Sequence, residues 1–249
     1  MKVLFRIDDL GLSLGINRAI MQSIDFQLVK NIGIIVNLPY SKEGLEFAKH
    51  HNKLCFGLHV NLVLGRPCSE VAENSSLIHS GMGNFISSST RRIELNSEKD
   101  LFDCDDTYNE VKAQIEKFIH TTGRKPDYID QHAVSTPTTN KVVKCLAIEY
   151  QIPYYEDKDN PVILFHPLIN ELAGNDLYQM IDRRKLDLEK VNHFIFHPGY
   201  IDDYLIRSSS LTYSRLFDLN LLNSVTTKKW LVDNNIKMQT FWDIANNPC

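Results

Sequence analysis

The chain has 249 residues, 43% apolar and 23% charged, with 31 acidic side chains against 27 lysines and arginines. This composition is ordinary for a soluble globular protein and excludes disordered, collagenous and coiled-coil chains. A formal charge of −4 supplies no cationic field for nucleic acid phosphates, and no apolar run reaches the about 18 residues of a membrane span.

Short β-prone runs alternate with helix-patterned stretches along the whole chain, which predicts a mostly parallel sheet. Val3 to Ile7 reads as a first buried strand, and Arg6, Asp8 and Asp9 interrupt it too early for a secretory segment. Ile16, Ile20 and Ile24 mark one helix face, and Ile32 to Val36 a second strand. A helix opened by Ser41 carries Leu45 and Ala48 inward. Phe56, Leu58, Val60 and Leu62 alternate with Gly57, His59 and Asn61, giving a strand with one apolar and one polar face. Gly65 to Asp106 breaks the rhythm; rich in Ser, Asn and Gly, it is expected to be a lid or a mobile loop. Thr107 and Glu110 read as a capping box before a helix that stops at Gly123. Tyr128 to His132 is a strand, Val142 to Ile148 a helix core, and Val162 to Phe165, His193 to His197 and Ile236 to Phe241 are further strands. A late helix begins near Ser224 and includes Trp230 and Leu231. Seven or eight such units predict one domain, a (β/α) barrel, complete or distorted. Five cysteines without CxxC spacing indicate neither a disulfide frame nor a thiolate site, so a reducing, cytoplasmic setting is expected.

The chemistry-bearing residues fall at predicted strand ends, the face on which such barrels build their sites. Asp8-Asp9 follows the first strand, with a helix N-cap as the alternative reading. His59 and Asn61 share the polar face of the third strand, where a hydrogen-bonded structural histidine is the alternative. Asp130 and His132 share a face at i and i+2, and His197 ends a strand at Pro198-Gly199, with His193 deeper and outside the pocket. One carboxylate and two imidazoles with open positions suit a divalent ion such as Zn, Mn, Co, Ni, Fe or Mg. A free Asp could take a proton from water while a His protonates a leaving group, so metal-assisted amide or ester hydrolysis is the natural reaction class.

These segments also carry a family resemblance. Asp8-Asp9-Leu10-Gly11-Leu12-Ser13, with Gly15 and Asn17, resembles the Asp-Asp-Phe-Gly opening of the YdjC/ChbG-like carbohydrate (chitooligosaccharide) deacetylases. Gly57-Leu58-His59 with Gly65-Arg66-Pro67, then Gly123-Arg124-Lys125-Pro126 and Asp130-Gln131-His132, resemble that family's later segments. His197-Pro198-Gly199-Tyr200-Ile201-Asp202, with Arg207, Arg215 and the ending Ile236 to Ile244, is similar to its C-terminal stretch. The resemblance spans nearly the whole chain in order. It implies a distorted (β/α) barrel that removes acetyl groups from N-acetylated amino sugars or chitooligosaccharides, including phosphorylated ones, with a divalent metal. Mg or Zn is foremost, with Mn, Co or Ni as further candidates. Carried over by position, Asp9, His59 and His132 hold the metal, Asp8 is the base, and His197 is the acid or an oxyanion partner. Asn61, Asp130, Arg207 and Arg215 are the expected substrate-binding residues. Ala133-Val134-Ser135, Ile34-Ile35-Val36-Asn37 and Ile152-Pro153-Tyr154-Tyr155 depart from the family pattern and point to a different acyl or sugar preference.

Two other readings compete: another metal hydrolase, acting on a phosphorylated disaccharide, and a non-catalytic sugar-binding relative. A glycosidase would need two carboxylates roughly 5 to 9.5 Å apart. Asp8 and Asp130 would serve, but the two histidines at matching strand ends would go unexplained. The expected partner is a small carbohydrate, with a homodimer allowed and neither nucleic acid nor membrane expected.

Overall fold

Val3, Leu4, Phe5 and Ile7 leave the first strand, β1 (Lys2–Leu10), without a solvent face, and every residue after Lys2 is buried. It is the central strand of a sheet in a computed structural model that describes residues 1–155, 163–165 and 187–245. The others are β2 (Asn31–Ile34), β3 (Cys55–Val60), β4 (Ile129–Gln131), β5 (Ile163–Phe165), β6 (Val191–Phe196) and β7 (Lys237–Gln239). All their pairings are parallel, in the order β4-β3-β2-β1-β6-β5. β7 lies along Lys2 to Leu4 of β1, and β2 takes over from Arg6 onward. Asn31 stitches that changeover: its Nδ2 donates to Phe5 O and Gln239 O, and its Oδ1 accepts from Phe241 N. Strands β4 and β5 do not pair with each other, so among the described residues the expected barrel is a curled, open half-barrel.

Helices α1 (Leu14–Asp25), α2 (Ser41–His50), α3 (Ser88–Asn96), α4 (Cys104–Thr122) and α5 (Pro137–Tyr150) precede β5. Helices α6 (Asp203–Ser208), α7 (Ser214–Leu222), α8 (Val225–Asp233) and α9 (Phe241–Ala245) follow β6. Ile16 and Ile20 of α1, Leu45 and Ala48 of α2 and Val111, Ile115 and Phe118 of α4 enter one core with the strands. Caps set the ends: Ser13 accepts from Ile16 N, Ser224 from Thr227 N, and Gly123 closes α4 in the left-handed conformation.

The expected capping box at Thr107 and Glu110 is absent. Helix α4 begins a turn earlier, where Asp103 accepts from the backbone of Asp105 and Asp106. Thr107 Oγ1 instead donates to Asp103 O, and Glu110 turns inward to accept from Cys68 N, Ser69 N and Ser69 Oγ at 3.0, 2.8 and 2.7 Å. With Asp106 of α4 accepting from Ser76 N, this fastens the long 65–106 stretch to α4, and the buried Arg91 lying over the Phe102 ring packs the stretch on itself. That stretch carries an Ile78–Phe85 bridge and α3.

Candidate metal and catalytic site

The parallel strands bring their C-terminal ends to one side, and a cavity of about 740 Å³ opens there. Asp8 and Asp9 of β1, His59 of β3, His132 just beyond β4 and His197 just beyond β6 all line it. Strict alternation would send Asp8 and Asp9 to opposite faces. The β1–β2 register shifts between Ile7 and Leu10, and Asp9 sits at φ +76°, a left-handed conformation rare for an aspartate. This irregularity turns both carboxylates to the cavity. Gly33 on β2 makes the room, since a Cβ there would stand 2.8 Å from Asp8 Oδ1 and 3.3 Å from His59 Cβ.

Asp9 Oδ1 lies 3.4 Å from His59 Nε2 and 3.0 Å from His132 Nδ1, and those two nitrogens are 3.2 Å apart. Donor atoms about 2.1 Å from one ion and about 90–109° apart are separated by about 3.0–3.4 Å, so this triad fits a divalent cation. The proton arrangement agrees. In the neutral ring, His59 Nδ1–H donating to Asp130 Oδ1 at 2.9 Å leaves Nε2 as a lone pair, and Asp9 Oδ1 has no hydrogen-bond partner. A second cluster, Asp8, His59 and Asp130, also brings its donor atoms within 4.8 Å of one another. The Arg6 guanidinium already occupies it, 2.8 Å from Asp8 Oδ2 and 2.7 Å from Asp130 Oδ2.

Burial raises the Asp8 pKa, and Arg6 and His59 only partly offset it. Burial opposes ionisation of Asp9 as well, but His132 and Arg215 outweigh it and hold that carboxyl well below its usual range. The His59 ring is pushed well above its usual range because Asp130 and Asp8 outweigh its burial. His197 is the opposite case: desolvation lowers it to about 3, so its imidazole is neutral near pH 7. Its backbone N–H donates to the buried Asp218 at 2.7 Å, while its Nδ1 is buried with no hydrogen-bond partner.

The structure brings Asp8, Asp9, His59, His132 and His197 together, and leaves the deeper His193 buried outside the cavity lining. It redirects two of the four expected substrate contacts. Asn61 is fully buried and holds the following turn, donating to Asn37 Oδ1 and Leu64 O and accepting from Val63 N and Leu64 N. Asp130 is spent on His59 and Arg6, and neither Asn61 nor Asp130 lines the cavity. Arg207 does line it, at an exposed edge and paired with Asp203, whereas Arg215 is buried with its Nη2 2.7 Å from Asp9 Oδ2. Sequence reasoning missed Arg6 and Asp218, as well as the Ser87 to Ser89 and Arg92 wall that the 65–106 stretch contributes. A cation inside the apolar run Val3 to Ile7, two residues before Asp8 and so on its strand face, was the available signal for Arg6.

A family of YdjC-like proteins matches residues 2–233, nearly the whole chain. The chain belongs to the YdjC-like family. Carbohydrate deacetylase 2 of Listeria innocua is 25% identical over 98% of this chain and 99% of its own. The chitooligosaccharide deacetylase of Citrobacter koseri is 26% identical over 95% and 96%. An Enterococcus faecalis structure described as a cellobiose-phosphate cleavage protein superposes with a TM-score of 0.81 at 22% identity, covering 98% of each chain. A family 4 acetyl xylan esterase of Clostridium thermocellum, solved with a cobalt ion, shares the fold more distantly, with a TM-score of 0.52 at 10% identity over 100% and 93%. Among the described residues no helix is long and apolar enough to cross a membrane.

Proposed function

We propose that this YdjC-like chain is a divalent-metal-dependent deacetylase of N-acetylated amino sugars or their short oligosaccharides. The observation that carries the reading is the convergence of Asp9 Oδ1, His59 Nε2 and His132 Nδ1 at 3.0–3.4 Å beside a second, uncommitted carboxylate oxygen, Asp8 Oδ1. Relatives covering nearly the full chain are named carbohydrate and chitooligosaccharide deacetylases, which supplies the substrate class.

Asp9, His59 and His132 would hold the ion, which supplies Lewis-acid polarisation of the acetyl carbonyl and acidification of water. Asp130 locks the His59 ring by accepting its Nδ1 proton, and Arg215 ties down the outer oxygen of Asp9. Asp8 takes the water proton at Oδ1; burial raises its pKa and makes it a stronger base than an exposed carboxylate. His197, neutral near pH 7, serves better as a hydrogen-bond donor to the developing oxyanion than as a resting acid. Once Asp8 carries the proton, it is the group placed to return it to the leaving amine. The cavity has room for more than one sugar ring, and Arg92 and Arg207 on its wall suit an anionic substituent such as a sugar phosphate.

Acetate release from N-acetylglucosamine and chitooligosaccharides, with and without a 6-phosphate, tests this across Zn, Co, Ni, Mn and Mg. Metal-dependent acetate that EDTA abolishes is the expected result. Reducing-sugar release without acetate would favour the phosphodisaccharide hydrolase instead.

A further inference from the structure

Two arginines hold the paired carboxylates in the same manner. Arg215 Nη2 lies 2.7 Å from Asp9 Oδ2, and Arg6 Nη2 lies 2.8 Å from Asp8 Oδ2. In both carboxylates the other oxygen, Oδ1, is buried and accepts no hydrogen bond. Arg6 has a second arm: its Nη1 lies 2.7 Å from Asp130 Oδ2, and Asp130 Oδ1 accepts from His59 Nδ1. A single buried guanidinium thus connects the candidate base to the ring of a candidate metal ligand. Strand geometry makes the link: Arg6 and Asp8 share a face of β1, and register sets His59 opposite Asp130 on β4.

We infer that Arg6 is a positioning residue that divides the work between the adjacent aspartates. Its planar fork spans both carboxylates, fixing Asp8 with Oδ1 toward the cavity and Oδ2 turned away from the Asp9 triad. It also fills the Asp8–His59–Asp130 cluster, so that a second dication there would meet a resident positive charge. A lysine keeps the charge but, as a point donor, does not reproduce the fork. The inference rests on the reading of Asp8 as the base.

The test is a double-mutant cycle of Arg6→Lys and Arg6→Gln, each alone and combined with Asp8→Asn, with cobalt titrated into each metal-free protein beside the kinetics. Arg6→Lys keeps the buried cation should Arg6→Gln fail to fold. The expected result for Arg6→Gln is a fall in kcat of about 10²-fold with KM within about threefold, and a smaller but clear fall for Arg6→Lys. At least one equivalent of cobalt is still bound in both variants, and no further loss of turnover follows either change in the Asp8→Asn background. Wild-type kcat in Arg6→Lys, or losses that add to that of Asp8→Asn, overturns the inference while leaving the deacetylase reading intact. A fully active Asp8→Asn protein overturns both.

Discussion

Asp9, His59 and His132 each turn one lone pair toward a common point, and each has its other side occupied or exposed. Removing either ring leaves only two donors, the other imidazole and the buried Asp9 carboxylate. His59→Ala and His132→Ala are therefore expected to weaken metal affinity by more than about 10²-fold and to abolish turnover with it, since loss of supporting partners alone costs 10–100-fold. Metal analysis after dialysis checks this; stoichiometric metal in both variants would contradict the ligand set. Asp8 behaves differently, because its free oxygen is not part of the triad. Asp8→Asn should keep the metal yet lower kcat by about 10²–10⁴-fold, measured on the metal-loaded protein.

At the scale of elements, the site depends on how strands and the long 65–106 stretch are fastened. Gly33 is the gap in β2 that admits Asp8 and His59. Gly33→Ala should cost more than about tenfold in kcat/KM while circular dichroism stays unchanged, because its Cβ would meet Asp8 Oδ1 at 2.8 Å. Glu110 anchors the cavity wall by accepting from two backbone N–H groups. Glu110→Ala takes that acceptor from both half-buried groups, which predicts about 1–3 kcal/mol less stability and faster proteolysis within 65–106. Helix α7 contributes Asp218 beneath His197. Burial pushes its carboxyl up to about 6, against the pull of the His197 N–H and Arg215. Because that pKa is raised on folding, the stability it contributes is full below about pH 4 and is lost as pH rises through 6. Asp218→Asn, which keeps an acceptor for the His197 N–H, should gain about 1–3 kcal/mol relative to wild type at pH 8 and nothing at pH 4. Parallel stability curves for the two proteins would contradict the assignment.

Across the whole molecule, the alternation of apolar runs made the parallel sheet and its site-bearing edge legible from the residues. Val3 to Ile7, Phe56 to Leu62 and His193 to His197 are apolar enough, and short enough, to be strands of a covered sheet. Their polar ends announced Asp8, Asp9, His59, His132 and His197. Three things were hidden. Glu110 follows Thr107 at capping-box spacing, but the backbone it accepts from lies about forty residues earlier in the chain, a long-range contact that local pattern does not encode. Asn61 and Asp130 share faces with the histidines, yet parity gives a direction and not a partner; each is consumed by a neighbour before reaching the cavity. The β1 irregularity that turns Asp9 inward depends on register with β2, which the sequence of β1 alone does not contain. A bound ion would also couple the site to the fold, because it neutralises a buried carboxylate at the central strand. Zinc or cobalt at about 100 times its Kd should raise unfolding free energy by about 2.7 kcal/mol in the wild type and leave His132→Ala unchanged.

The most direct measurement strips the protein with a chelator, restores zinc or cobalt stepwise, and counts bound metal and acetate released from an N-acetylated chitooligosaccharide in the same samples. Acetate rising in proportion to metal and levelling at one ion per chain is the result predicted here. Acetate release undiminished in the stripped protein, or full metal loading with no acetate from any N-acetylated sugar, would contradict it.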